Sequence, residues 1–401
     1  MATTKIIPGV LDLNEAASDS GLKIPTGTNN NRPATDVAGM VRNNTNETSD
    51  GSASCEEYYN GTAWQKINNV PFPVYFRTVL YTGNDVSHAI TGVGFKPDWV
   101  WIKRRSSSES SAIYDSTRGI NEQLESNSDV AQATNTAPYE GFTSFDDDGF
   151  TVGNNGGTNR APNTYVAWCW KANGGTTSSN TDGSSTSTVQ VNQDAGFSIV
   201  KYVGNQTAGH TIGHGLGATP EVVIIKCINV VRPWYVYHVG VDATNPADYN
   251  LRLNATNTRQ DSTTEFNDTE PTSTVFTLGT ASGPNGTGDN YIAYCFASVA
   301  GYSKFGTYNG SGSDGNAVPL GFQPSWLMIK RSNSTGGWLM FDSARSPSNP
   351  VNDRLEANSN QAEQTNSGDK FVDFNATDFE ANGSDSELNA SGGTYIYMAF
   401  K

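Results

Sequence analysis

A chain of 401 residues leaves room for roughly two to four domains. Its hydrophobic fraction of 35% is low for a globular enzyme, while its 10% aromatic content is too high, and too regularly placed, for a disordered chain. A formal net charge of −15 and a pI near 4.6 repel nucleic acid and anionic membrane surfaces. No apolar run approaches the roughly 18 residues that a membrane-spanning helix needs. Met1-Ala2-Thr3-Thr4-Lys5 lacks the apolar core of a signal peptide. The expectation is a soluble chain that no standard route exports and that does not insert into membranes.

Residues 1–74 read as a separate, β-rich leader. Turn residues gather at Pro25-Thr26-Gly27-Thr28 and Arg32-Pro33, and the segment closes on Glu57-Tyr58-Tyr59-Asn60-Gly61-Thr62-Ala63-Trp64. Asn60-Gly61 between short aromatic runs predicts a hairpin with a two-residue turn.

From residue 75 the chain states one phrase three times. Pro97, Pro220 and Pro324 each stand six positions before a lysine, Lys103, Lys226 or Lys330. Twelve positions after each lysine comes Asp115, His238 or Asp342, preceded by Tyr114, Tyr237 or Phe341. Each copy then ends in a strand-like phrase that opens on Tyr165, Tyr291 or Tyr395. The copies are about 100 residues long, domain-sized rather than solenoid-sized. They occupy 75–172, 196–300 and 301–401, with a Gly/Ser/Thr/Asn linker of flexible character at 173–195 between the first two; no such linker separates the last two, which are expected to pack against each other.

Within a copy the periodicity is that of strands. In the closing phrase Tyr165, Ala167 and Cys169 fall on one face, and Val166, Trp168 and Trp170 on the other. Trp99-Val100-Trp101-Ile102 is apolar on both faces, as in a strand between two layers. Long amphipathic helices are missing, although Ile120 to Leu124 suits a helical turn. The expected fold is all-β: three tandem β-sandwiches, jelly-roll or lectin-like, behind a small β-rich leader.

The recurring acid position is the first candidate for chemistry. Asp115 and Asp342 suit acid/base or metal roles, but His238 fills the same slot, and no second carboxylate recurs at a fixed offset as glycosidase chemistry requires. The expected role is structural: pairing with the recurring lysine or capping a turn. The lysines are expected to hold a loop. Asp146 and Asp148, in Asp146-Asp147-Asp148-Gly149, are calcium candidates on a tight turn, weighed against a solvated turn before Phe150. His210 and His214 are four apart, but Gly213 and Gly215 argue against the helix that would align them on zinc. Cys169 and Cys295 share a slot that holds Ala399 in the third copy, which reads as a small inward-facing position. With Cys227 and Cys55 they are expected to be free thiols. No nucleophile elbow, phosphate loop or Cys/His pair appears, so no cofactor and no enzymatic activity are expected.

The leader text, with Gly39-Met40-Val41-Arg42-Asn43-Asn44-Thr45 and Glu57-Tyr58-Tyr59-Asn60-Gly61-Thr62-Ala63-Trp64, resembles a short module of bacteriophage tail-fibre and other virion proteins. That module carries Tyr where this chain has Asn43, and one Tyr fewer before Asn-Gly. The copies resemble uncharacterised domains in structural proteins of marine phages and cyanophages, through Gly94-Phe95-Lys96-Pro97-Asp98-Trp99, Tyr235-Val236-Tyr237-His238 and Gly392-Gly393-Thr394-Tyr395-Ile396-Tyr397-Met398-Ala399-Phe400. The resemblance implies a virion protein, a tail fibre or appendage that docks by its leader on other virion proteins. It implies no catalytic residues. Expected partners are further copies in a homotrimer, whose edge strands would cover one another, and a host-surface glycan or receptor. The alternatives are a capsid decoration or head-fibre protein and a polysaccharide depolymerase.

Overall fold

The computed structural model describes residues 26–27, 41–44, 55–59, 62, 64–66, 74–365 and 368–401. The chain divides into two compact units, Met1–Val74 and Tyr75–Lys401. In the first, Thr26–Gly27 runs parallel to Val41–Asn44, and Cys55–Tyr59 pairs antiparallel with both Val41–Asn44 and Trp64–Lys66. The hairpin expected at Asn60-Gly61 is there, but Tyr59 partners Trp64, so four residues rather than two separate the strands. The rings of Tyr59 and Trp64 lie 5.7 Å apart. The expected turn at Arg32-Pro33 and the Cys55 side chain lie outside the described residues.

The second unit is all-β and contains three β-sandwiches. Each is built on the same four antiparallel strands. An entry strand comes first: Phe76–Thr82, Phe197–Val203 or Ser303–Asn309. A lysine strand follows: Trp99–Arg104, Val222–Cys227 or Trp326–Arg331. Next comes an acid strand: Ala112–Asp115, Tyr235–His238 or Trp338–Asp342. The closing strand is Thr164–Trp170, Asn290–Phe296 or Thr394–Phe400. Although last in each copy, it inserts between the entry and lysine strands, giving the order entry, closing, lysine, acid three times. A smaller sheet covers one face of each, such as Phe142–Asp146, Gly149–Val152 and His88–Thr91 in the first copy.

The closing strands explain the core. Tyr165, Ala167 and Cys169 point into the first sandwich, Tyr291, Ala293 and Cys295 into the second, and Tyr395, Tyr397 and Ala399 into the third. The alternate residues of all three strands enter a single shared cluster: Val166, Trp168 and Trp170 with Ile292, Tyr294 and Phe296, and with Ile396, Met398 and Phe400. The inner sheets of the three copies therefore pack on one another about a pseudo-threefold centre. Trp99 stacks on Tyr294 at 4.5 Å, Phe76 on Phe400 at 5.3 Å, and Phe296 meets Phe400 edge-on at 5.9 Å, so every pair of copies shares an aromatic contact. Burial of such rings is worth about 1.5–3 kcal/mol each, which makes this centre the largest cohesive element of the unit.

Two expectations need correction. The segment 173–195 is no free linker: Ser178–Asn180 and Ser187–Asn192 are strands, and the latter pairs with the entry strand of the second copy. Ile120–Leu124 is not helical. Glu122–Gln123 is extended, Asn121 has a left-handed φ of 65°, and Leu124 bridges to Ile113 of the acid strand. The α-helices among the described residues are single turns, including Gly156–Asn159 and Ser282–Asn285.

Candidate functional site

The recurring acid slot lies where one copy meets the next. Asp115, His238 and Asp342 end their strands at 0%, 1% and 0% exposure. Asp115 accepts a hydrogen bond from the Tyr294 hydroxyl of the second copy at 2.7 Å. His238 reaches the Tyr397 carbonyl of the third at 3.0 Å, and Asp342 accepts from Trp168 Nε1 of the first at 3.0 Å. The three contacts run from first to second, second to third and third to first, which closes a ring.

The difference between the slots follows from what faces them. Trp168, Tyr294 and Met398 occupy equivalent places on the closing strands. An indole and a phenol donate to a carboxylate, whereas a thioether donates nothing, and the slot opposite Met398 holds histidine. A buried carboxylate also needs a cation. Asp115 and Asp342 have one three residues on, Arg118 Nε at 2.5 Å and Arg345 Nε at 2.6 Å, while the third residue after His238 is Val241. Burial works against the Arg118 and Arg345 charges, but the adjoining carboxylates outweigh it and raise both. For His238 burial prevails and lowers it to about 4, so the ring is neutral at pH 7. Its Nε2 faces a carbonyl and therefore carries the proton, which leaves Nδ1 to accept from Gly240 N–H at 3.0 Å.

The acid slot thus caps a turn, with Asp115 Oδ1 accepting from the Thr117 and Arg118 amides, but its ionic partner is arginine and not the recurring lysine. The lysines form a second ring in the opposite sense. Lys103 Nζ donates to the Ser359 carbonyl, Lys226 to that of Asp129, and Lys330 to that of Thr256, each on another copy. Burial pushes all three ammonium groups down to about 8. Paired backbone bonds of 2.8–2.9 Å accompany them: Gln132–Ile228 with Arg232–Asp129, Arg259–Ser332 with Gly336–Thr256, and Glu363–Arg105 with Glu109–Asn360. Glu363 further clasps Arg105 at 2.8 Å and Arg345 at 3.1 Å, tying the third copy to the first.

Tyr165, Tyr291 and Tyr395 perform one task three times. Their hydroxyls accept from the Arg160, Gly286 and Ala390 amides and donate to the Gly156, Ser282 and Ser386 carbonyls. Their rings stack at 5.0 Å on Tyr81, Tyr202 and Tyr308 of the entry strands. Six residues before each is a buried asparagine, Asn159, Asn285 or Asn389, whose amide fastens the loop after the entry strand. Sequence reasoning missed this asparagine and the Asp115/Arg118 and Asp342/Arg345 spacing. The fixed Asn-to-Tyr interval was the available signal. Pro97, Pro220 and Pro324 are all buried at the start of the lysine strands.

The remaining candidates are engaged within the protein. Asp148 accepts from Gly92 N at 3.1 Å and Gly94 N at 2.6 Å, and these amides hold its carboxyl low. Asp146 accepts from the Thr151 hydroxyl at 2.7 Å. His210 sits between Asn285 and Ser185, and His214 between the Thr272 carbonyl and the Leu216 amide. No group of three metal-ligating side chains occurs among the described residues. Cys169, Cys227 and Cys295 are buried free thiols.

The acid and lysine slots form buried clasps between copies. No curated protein and no solved structure matches the chain. One family spans all three copies as a single stretch, residues 73–401, and the chain belongs to it: the family described as Domain of unknown function (DUF7483).

Proposed function

We propose that this chain is a structural component of a bacteriophage virion, a tail fibre or similar appendage that docks by residues 1–74 and presents residues 75–401 toward the host surface. The observation that supports it best is the three-way centre. The recurring acid and lysine slots each fasten one copy to another, which ties the three copies into one body around a shared core. The resemblance of leader and copies to phage virion proteins supplies the location. On this reading the protein is non-enzymatic, is made in the host cytoplasm and joins other virion proteins on the particle.

On this reading the homotrimer expected from the sequence is made by residues 1–74 rather than by residues 75–401. The copies cover one another's inner faces within one chain. The outer edges carry Arg77 and Lys304 where the covered edge of the second copy carries Ser198, and cations on an edge strand oppose further pairing. Any trimer is then made by the leader. Light scattering on the full chain reads this directly, as 42.9 kDa or three times that mass. Gold-labelled antibody on purified virions tests the location: label at the tail supports the proposal, label over the shell favours capsid decoration, and no label overturns both.

A further inference from the structure

In the second copy Ser178–Asn180 and Ser187–Asn192 add two strands beyond the entry strand. Between this addition and the end of the first copy lies a cavity of about 560 Å³, within the range of small-molecule sites. Asn173, Ser178, Ser179, Gln193 and Asp194 line it, and all five are exposed. The Ser178 and Ser179 hydroxyls can donate or accept, while the Asn173 and Gln193 amides present mainly their oxygens. The Asn173 amide nitrogen donates to the Thr176 carbonyl at 3.2 Å and that of Gln193 to the Gly215 carbonyl at 3.0 Å. Among the described residues no donor is bonded to either side-chain oxygen. Asp194 adds a carboxylate, bonded to the Tyr75 hydroxyl.

A site with its amide donors engaged, its amide oxygens open and two serine hydroxyls beside them suits a ligand that brings many donors and can also accept. An anion would meet Asp194 and a net charge of −15. A hard cation wants several charged oxygens, and one carboxylate is present. An apolar ligand would strand the amides and hydroxyls. What fits is an uncharged polyhydroxy compound, whose hydroxyls donate to Gln193 Oε1, Asn173 Oδ1 and Asp194. We propose that this groove binds a neutral saccharide chain. The assignment rests on the reading that the unit is presented to a host surface, since it gives that surface a chemical class.

The test uses the full chain titrated with neutral malto-, cello- and chito-oligosaccharides. At least one series is expected to bind. A combined Asn173→Ala, Gln193→Ala, Asp194→Ala variant should weaken it about ten-fold or more without moving the melting midpoint, because the three side chains are exposed. A Ser343→Ala, Ser348→Ala variant, in the separate cavity of about 410 Å³ on the third copy, should bind as the parent does. Binding untouched by the triple variant, or no binding by any series, overturns the groove. The virion reading fails separately, by absence of antibody label, so the two outcomes stay distinct.

Discussion

Two seams of the ring carry an aspartate and one carries a histidine, and the comparison shows what the slot is for. Asp115 and Asp342 are buried charges, each matched by an arginine and by a donor from the neighbouring copy. His238 does the same joining as a neutral group through the Tyr397 carbonyl, while the Gly240 amide of its own copy holds the ring. A catalytic slot would lose its chemistry on such an exchange. A clasp keeps its role provided the facing residue changes too, and here Met398 replaces Trp168 and Tyr294.

The sharpest way to break this comparison is to remove each slot. Asp342→Ala leaves the buried Arg345 charge to Glu363 alone, and loss of one partner of a buried pair costs about 3–5 kcal/mol, with the remaining carboxylate keeping this case at the lower end. His238→Ala removes neutral hydrogen bonds and should cost about 1–3 kcal/mol. Urea unfolding followed by tryptophan fluorescence compares them, and equal losses would show that the charge difference between seams is irrelevant.

Acid separates the seams next. His238 has a folded value of about 4 against an ordinary 6.5, so the unfolded chain binds the extra proton first as pH falls. Its contribution is full above 6.5 and is lost as pH drops toward 4, a gap worth on the order of 3 kcal/mol at most. His238→Gln should flatten the stability profile in that window. A variant with the parent's slope there would mean that other groups carry the acid sensitivity.

Much of the fold was legible because strands alternate. The split of Tyr165, Ala167 and Cys169 from Val166, Trp168 and Trp170 follows from the two-residue period, and the Cys/Ala slot follows from that split. What covers the second face was only partly legible: the missing linker between the last two copies pointed to their packing together, but an apolar stripe states that it is buried, not by what, so the three-way centre escaped the sequence. The acid slot was read as structural, but its arginine was missed because the middle copy lacks it. The asparagine before Tyr165, Tyr291 and Tyr395 was masked by the unlike residues in each interval.

The closing strands offer a finer test. Tyr294→Phe removes one hydrogen bond to a buried carboxylate, while Arg118 and two backbone amides still hold Asp115, so a loss of about 1.5–3 kcal/mol is expected. A double-mutant cycle with Asp115→Asn should recover most of it as coupling.

Met398→Leu carries the smallest expected effect and the most pointed one. The side chain is buried in the shared centre with no polar duty, and His238 reaches the backbone of Tyr397 rather than Met398 itself. A volume-conserving apolar exchange at such a site costs under about 1.5 kcal/mol. The equivalent Trp168→Phe removes a donor from Asp342 as well as volume, and should cost more on the same denaturation assay. If Met398→Leu proved the worse of the two, the histidine in the facing slot would owe its place to the sulfur, and the pairing of slot with facing donor would have to be abandoned for that seam.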